Sequence, residues 1–145
     1  MSLSSEEVKR YSRQIALREI GLEGQKKLKN SRVSIVGVGG LGCFSSIQLA
    51  SIGVGYIRLI DQDVVDITNL HRQILYDTES LDYPKVESAQ KRLRTLNPNV
   101  EVEPLPLTIN EDTAVEAVKG VDVVIDGLDH FTPRYAVNKA RLVEA

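Results

Sequence analysis

Apolar positions along this chain change period several times, and each change marks an element. Val33, Ile35 and Val36 form a short apolar run that ends in a glycine cluster, Gly37, Gly39, Gly40 and Gly42. Beyond it Ile47, Leu49, Ala50 and Ile52 recur at helical spacing as far as Gly53. The spacing predicts a buried strand, a glycine turn and a helix. A second strand is expected over YIRLID (56–61), ending on an acid, and a third from Val100 to about Leu107, placed at a sheet edge by its two prolines. The near-continuous apolar run VDVVID (121–126) predicts a fourth strand, parallel and buried.

Helices fill the intervals. Pro84 opens one with Val86, Ala89, Leu93 and Leu96 on one face, closed by Asn97-Pro98; Glu111–Lys119 forms another, ended by Gly120. Thr132 and Pro133 supply the N-cap and first residue of a last helix, with Ala136, Val137, Ala140 and Val143 inward. At the start, Ser4 and Glu7 form a capping box for a helix whose apolar face is Val8, Tyr11 and Ile15. Gly21 and Gly24 interrupt it, and GQKKLKNS is a short polar helix. Residues 62–82 show no period, and a connection of that length is functional or disordered.

Strands alternating with helices imply right-handed crossovers. The expected fold is α/β: a Rossmann-like parallel sheet of order 3-2-1-4 with helices on both faces, preceded by N-terminal helices. A ligand belongs at the carboxyl ends of strands 1, 2 and 4. Asp126 ends strand 4 and Asp129 follows it into that crevice. The chain stops after a helix where a further strand would complete the usual sheet, so residues 1–145 read as one domain of a longer protein.

Composition narrows the function classes. With 18 basic and 20 acidic residues, there is no net field to draw nucleic acid or an anionic membrane. No apolar run approaches the ~20 residues of a membrane span. The N-terminus MSLSSEEVKR is charged at once and is no signal peptide. The single Cys43 excludes an internal disulfide or a multi-cysteine zinc site within the chain. A cytoplasmic domain is expected. Cys43 lies beside the glycine turn, so a nucleophile is conceivable, but with no histidine near it in sequence a small packing residue is the better reading.

The glycine turn is suited to phosphate, because helix-start N–H groups and the dipole's positive end converge there. Gly37 to Gly42 fits G-x-G-x-x-G, and Asp61 follows at about the spacing of a ribose-binding acid. That pattern alone suggests NAD. A nicotinamide domain, however, has no use for the basic, amide-rich DQDVVDITNLHRQILY that follows strand 2. Lys85 at a helix start opposes the dipole by ~0.3–1 kcal/mol, a cost that a polyphosphate would offset.

The joint occurrence of RYSRQI (10–15), GLEGQKKLKNSRVSIVGVGGLGC (21–43), DQDVVDITNLHRQ (61–73), PKVESA (84–89), LNPNV (96–100) and VIDGLDHFTPR (124–134) resembles the ubiquitin-activating superfamily, in its bacterial ThiF, MoeB and HesA type. The resemblance implies an adenylyltransferase that binds ATP and Mg²⁺ and acts on the C-terminal glycine of a small ubiquitin-like sulfur-carrier protein, as in thiamine or molybdopterin biosynthesis. It assigns Gly37, Gly39 and Gly40 to close approach of the phosphates, Asp61 to the ribose and Asp63 to shaping that pocket. Asn69, Arg72 and Lys85 would contact phosphate, and Gln73 would support the loop. Asp129 matches the magnesium-associated aspartate, and Arg13 an arginine reached across a homodimer interface. His130, counted with the nucleotide-contacting set, stands where the family usually has asparagine, and Tyr83 precedes Pro84 where it often has a nearby glycine. Zn²⁺ would belong only to a C-terminal part that this chain lacks, along with the loop that clamps the carrier and any catalytic cysteine; the piece alone is expected to be incomplete.

Each assignment has a plainer counterpart. Asp61 could cap a loop, Arg72 and Lys85 could be solvated, Arg13 could lie on a polar helix face and Asp129 could open a helix. His71 has no ligand-like spacing. An NAD-dependent oxidoreductase domain and a non-catalytic interaction subunit on the same fold are the alternatives; the first would not require Arg72 or Lys85, and the intact set with Asp129 speaks against the second.

Overall fold

The N-terminal segment packs through a charged residue, Glu7, together with Tyr11 of the expected apolar stripe. In the computed structural model, which describes residues 1–144, the capping box of Ser4 and Glu7 opens α1 (Ser5–Arg10) as expected. Its buried face is Glu7 and Tyr11, whereas Val8 is exposed. Glu7 can be buried because Lys29 Nζ and the Ser4 N–H each donate to its Oε2 at 2.7 Å. The helix breaks at Tyr11 and resumes as α2 (Ser12–Ile15). Gly21, at φ 57°, ends the following turn, and α3 (Gly21–Asn30) starts there. The two glycines therefore lie inside α3 and do not interrupt an earlier helix.

The sheet is β1 (Arg32–Val36), β2 (Tyr56–Ile60), β3 (Glu101–Leu105) and β4 (Val123–Asp126), all parallel, in the order β3-β2-β1-β4. Between strands run α4 (Gly40–Ile52), α5 (Lys85–Leu96), α6 (Ala114–Val118) and finally α7 (Phe131–Glu144). Side chains alternate across the sheet with period 2. Val33, Ile35, Ile57 and Leu59 join one core cluster with Ala50, Val86, Ala89 and Leu93 of α4 and α5. Val36 and Ile60 join the other, with Ala117, Val118 and Val137 of α6 and α7. Ile35, Ile57 and Leu59 are wholly inaccessible, each worth roughly 1.5–3 kcal/mol of burial.

Several boundaries differ from the expected ones for local reasons. β3 stops at Leu105 because the Leu107 N–H, next in line to pair with β2, turns back and donates to the Leu105 carbonyl at 2.9 Å. Residues 111–113 stay outside α6: Asn110 Oδ1 accepts from the Asp112 and Thr113 N–H groups, capturing the backbone in a turn. α7 begins at Phe131 rather than Pro133, and a proline in the first turn is tolerated because N–H groups there have no intrahelical partner. Leu96 and Val143 point outward. Among the described residues β4 pairs on one side only, with β1, and Val123 is half-exposed, so the strand is not buried there as expected. No helix among the described residues is long and apolar enough to cross a membrane.

Candidate functional site

A cavity of about 780 Å³ opens at the carboxyl ends of the strands. Of the residues picked out by sequence, Gly37, Gly39, Gly40, Asp61, Asp63, Asn69, Arg72, Gln73, Lys85, Asp129 and His130 all line it. Arg13 does not; it is exposed on α2.

The glycines divide the work. Gly37 lies at φ 86°, and a Cβ there would stand 2.8 Å from the Gly127 backbone. A Cβ on Gly42 would stand 2.0 Å from the Gly37 carbonyl oxygen. These two make the turn tight. At Gly39 and Gly40 a Cβ would meet nothing closer than 3.6 Å and 4.0 Å respectively. Side chains there would enter the cavity, so these two keep its floor open at the N-terminus of α4, where an anion is favoured.

Fixed hydrogen bonds hold the turn. Asp61 Oδ2 accepts from the Val38 N–H and Oδ1 from the Asp63 N–H, both at 2.9 Å. Asp61 thus braces the turn, and a carboxylate has about four acceptor positions, so capacity for sugar hydroxyls remains. Beneath the turn the Tyr76 hydroxyl donates to the Val38 carbonyl at 2.7 Å, and burial pushes that phenol's pKa far up. Cys43 Sγ lies 3.6 Å from the same carbonyl, and burial raises its pKa. A thiol held protonated in the core is a packing residue and not a nucleophile.

The aperiodic stretch after β2 is ordered by its own side chains. Around the 3-10 turn Ile67–Asn69, Asp66 accepts from the Thr68 N–H while its own N–H donates to Asn69 Oδ1. This leaves the Asn69 amide nitrogen for the cavity. Arg72 donates from Nη1 to the Thr68 carbonyl at 3.0 Å and lays its stem over Gly40. Gln73 is buried at the cavity wall, and its Oε1 has no hydrogen-bond partner.

Lys85 opens α5 from a buried position, with Nζ 3.5 Å from Asp63 Oδ2. Its expected need for a compensating anion is met within the chain, by Asp63. Across the cavity, Asp129 and His130 are exposed, with Nε2 to Oδ1 at 3.6 Å. No group of three or more potential metal-ligating side chains occurs among the described residues. The exposed Asp129 carboxylate nevertheless has the chemistry that suits Mg²⁺, which is commonly held by one or two carboxylates together with substrate phosphates.

Sequence reasoning missed part of the wall. Leu107, Thr108 and Ile109, beyond β3, line it, with Gln62, to which the Thr108 hydroxyl donates. Arg134 of α7 also lines it, donating from Nε to the Leu128 carbonyl at 2.9 Å, 3.5 Å from Asp126 Oδ2. The only signal for Arg134 was its place at the end of VIDGLDHFTPR.

Fold and site together define a Rossmann-like domain with an anion-binding turn, ringed by cations and carboxylates. The ThiF family model matches residues 11–143, and the chain belongs to the ThiF family. It is 43% identical over 143 residues to the sulfur carrier protein adenylyltransferase of Thermus thermophilus, covering 99% of this chain and 53% of that protein. It is 44% identical over 138 residues to the SAMP-activating enzyme E1 of Haloferax volcanii, covering 95% of this chain and 51% of that protein. Among solved structures it resembles the E. coli tRNA N6-threonylcarbamoyladenosine dehydratase TcdA in complex with ATP, with a TM-score of 0.90 and 28% identity, over 99% of this chain and 59% of that one. The chain thus spans about half the length of these curated relatives.

Proposed function

We propose that the protein adenylates the C-terminal glycine carboxylate of a ubiquitin-like sulfur carrier, using ATP and Mg²⁺, and that it does so as a homodimer. The observation that carries this reading is the convergence of Arg72 and Lys85 on one cavity whose floor is the open Gly39-Gly40 turn. An NAD site would need the turn and Asp61 alone.

The chemistry fits the residues. A C-terminal carboxylate, with a pKa of about 3.3–3.7, is ionised at neutral pH and needs no general base. Its oxygen bonds to the α-phosphorus as the bond to the departing pyrophosphate breaks. What remains for the protein is positioning and charge neutralisation. The Gly39 and Gly40 backbone receives phosphate, Asn69, Arg72 and Lys85 offset its charge, and Asp61 holds the ribose, with Asp63 fixing Lys85. Gln73 supports the turn, and His130 sits beside the nucleotide. Asp129 would hold Mg²⁺, which supplies further neutralisation of the phosphates. Arg13, exposed and outside its own subunit's cavity, serves the partner subunit's site.

Calorimetry with the intact protein tests the nucleotide. ATP with Mg²⁺ is expected to bind and NAD to bind far more weakly. NAD bound at micromolar levels, with no binding of ATP, overturns the reading.

A further inference from the structure

The end of α4 opposite the cavity is closed by side chains. Helix ends leave carbonyls without intrahelical partners, and here the Ile52 carbonyl accepts from Gln14 Nε2 at 2.8 Å and from Gln25 Nε2 at 2.9 Å. Gln14 Nε2 also donates to Gln25 Oε1, so both amide protons of Gln14 are engaged. Asn97 Nδ2 donates to the Ala50 carbonyl and to the Tyr11 hydroxyl, each at 2.7 Å. Tyr11, Gln25 and Asn97 are all buried. Gly53 is required beneath them, since a Cβ there would lie 2.6 Å from Tyr11 Cζ and 2.8 Å from Gln25 Nε2.

The network grips the segment that carries Arg13. Helix α2 has four residues and no side-chain cap; a helix that short has no stability of its own, because nucleation is not recovered over so few bonds. Its direction is therefore set by Gln14 within it, fastened directly to the Ile52 carbonyl of α4, and by Tyr11 before it, linked to the Ala50 carbonyl through Asn97. Arg13 lies between them and is exposed. The same α4 presents Gly40 to the cavity at its other end. One rigid helix thus connects a subunit's own phosphate site to its outward-facing arginine.

We propose that Gln14 is a positioning residue: by clamping α2 to the Ile52 carbonyl, it holds Arg13 at the angle needed to enter the neighbouring subunit's nucleotide site. The inference rests on the reading of Arg13 as an arginine used across a homodimer. A positioning residue for a group that works in the other subunit must itself act in the other subunit. A residue that merely supports its own fold cannot do so.

The experiment is subunit complementation in the intact protein, read by ATP–pyrophosphate exchange with a Gly-Gly-terminated ubiquitin-like carrier that supports exchange by the unaltered enzyme. Gln14→Met keeps the volume and removes both donors. As a homodimer it is expected to lose about tenfold or more in exchange while ATP affinity, measured by calorimetry, stays within about twofold. Mixed with Arg72→Ala, it should form heterodimers in which one site has both defects and the other neither, recovering up to about half the normal activity. Mixed with Arg13→Ala, it should show no recovery, because each site then faces a missing or a misdirected arginine. Subunit exchange is verified by native mass.

Recovery of Arg13→Ala by Arg72→Ala without recovery of Gln14→Met by Arg72→Ala overturns the role of Gln14 alone. Unchanged exchange in the Gln14→Met homodimer overturns it too. Absence of recovery between Arg13→Ala and Arg72→Ala removes the cross-subunit reading, and this inference with it. If Gln14→Met does not fold, Gln14→Asn, which keeps an amide but is one methylene short, enters the same mixtures under the same criteria.

Discussion

Lys85 Nζ lies 3.5 Å from the Asp63 carboxylate, with 7% of the lysine side chain exposed and 59% of the aspartate's. The ammonium is held at the cavity wall by a partner that water still reaches. A buried cation stranded without its partner is costly, but the exposure of Asp63 screens the pair. Asp63→Asn is therefore expected to lower stability by only about 1 kcal/mol, read as a urea midpoint shift. Lys85→Ala and Arg72→Ala should each lower pyrophosphate exchange by about 10²–10³, the usual cost of losing one preorganised charge. A fall of less than about tenfold for both places these cations outside the reaction.

Asp129 is exposed and unbraced except by His130, so replacing it should not disturb the fold. Asp129→Asn keeps the shape and removes the charge that would hold a divalent cation. The Mg²⁺ concentration giving half-maximal exchange should rise by about tenfold or more, with melting temperature unchanged. An unshifted titration returns Asp129 to the role of an acid at the entry to α7.

What the sequence made legible, and what it hid, follows from the range of the interactions involved. The parallel sheet and its order rested on local periods and handedness, and Ile35, Ile57 and Leu59 are the core those periods implied. Burial of Glu7 depends on Lys29, 22 residues away, and no local period could announce it. β4 looked buried because an apolar run does not show whether a neighbouring strand lies on each side. The cavity wall beyond β3 was missed for a similar reason: Thr108 reaches Gln62 across 46 residues. Arg134 was hidden because its partners are a carbonyl and a carboxylate at the end of β4. The loop at 62–82 had no period because Asp66, Asn69 and Asp77 order it through side-chain bonds to nearby backbone.

Glu7 also gives the fold a pH dependence. Burial alone would raise its carboxyl pKa, but hydrogen bonds from Lys29 and from the Ser4 N–H outweigh that and hold it below the ordinary value of 4.5. A carboxylate with a depressed pKa in the folded state contributes stability that is present above its unfolded value and is lost as pH falls through the folded one. Stability should therefore decline on acidification below about pH 4.5, where unfolded glutamates begin to bind protons. In Glu7→Gln that part of the acid-side slope should vanish, while stability at pH 7 is already lower. Urea midpoints measured between pH 3 and 7 check both; parallel slopes in the two proteins would show that Glu7 titrates alike folded and unfolded.

The glycines separate fold from ligand space most sharply. At Gly42 a methyl group would sit 2.0 Å from the Gly37 carbonyl oxygen and 3.0 Å from its carbon, both backbone atoms that cannot rotate away. Gly42→Ala is expected to cost about 3 kcal/mol or more through displacement of the turn. At Gly40, the first residue of α4, a methyl group would meet only the Arg72 stem at 4.0 Å. Gly40→Ala should leave stability unchanged or raise it by up to about 1 kcal/mol, since alanine loses less backbone entropy in a helix. That methyl group would occupy the cavity floor, where the proposed function places a phosphate oxygen against the backbone. ATP affinity should fall by about tenfold or more, equivalent to about 1.4 kcal/mol. Thermal melting and ATP calorimetry on the two variants read the two effects separately. Undiminished ATP affinity in a stable Gly40→Ala protein would move the phosphates away from the start of α4.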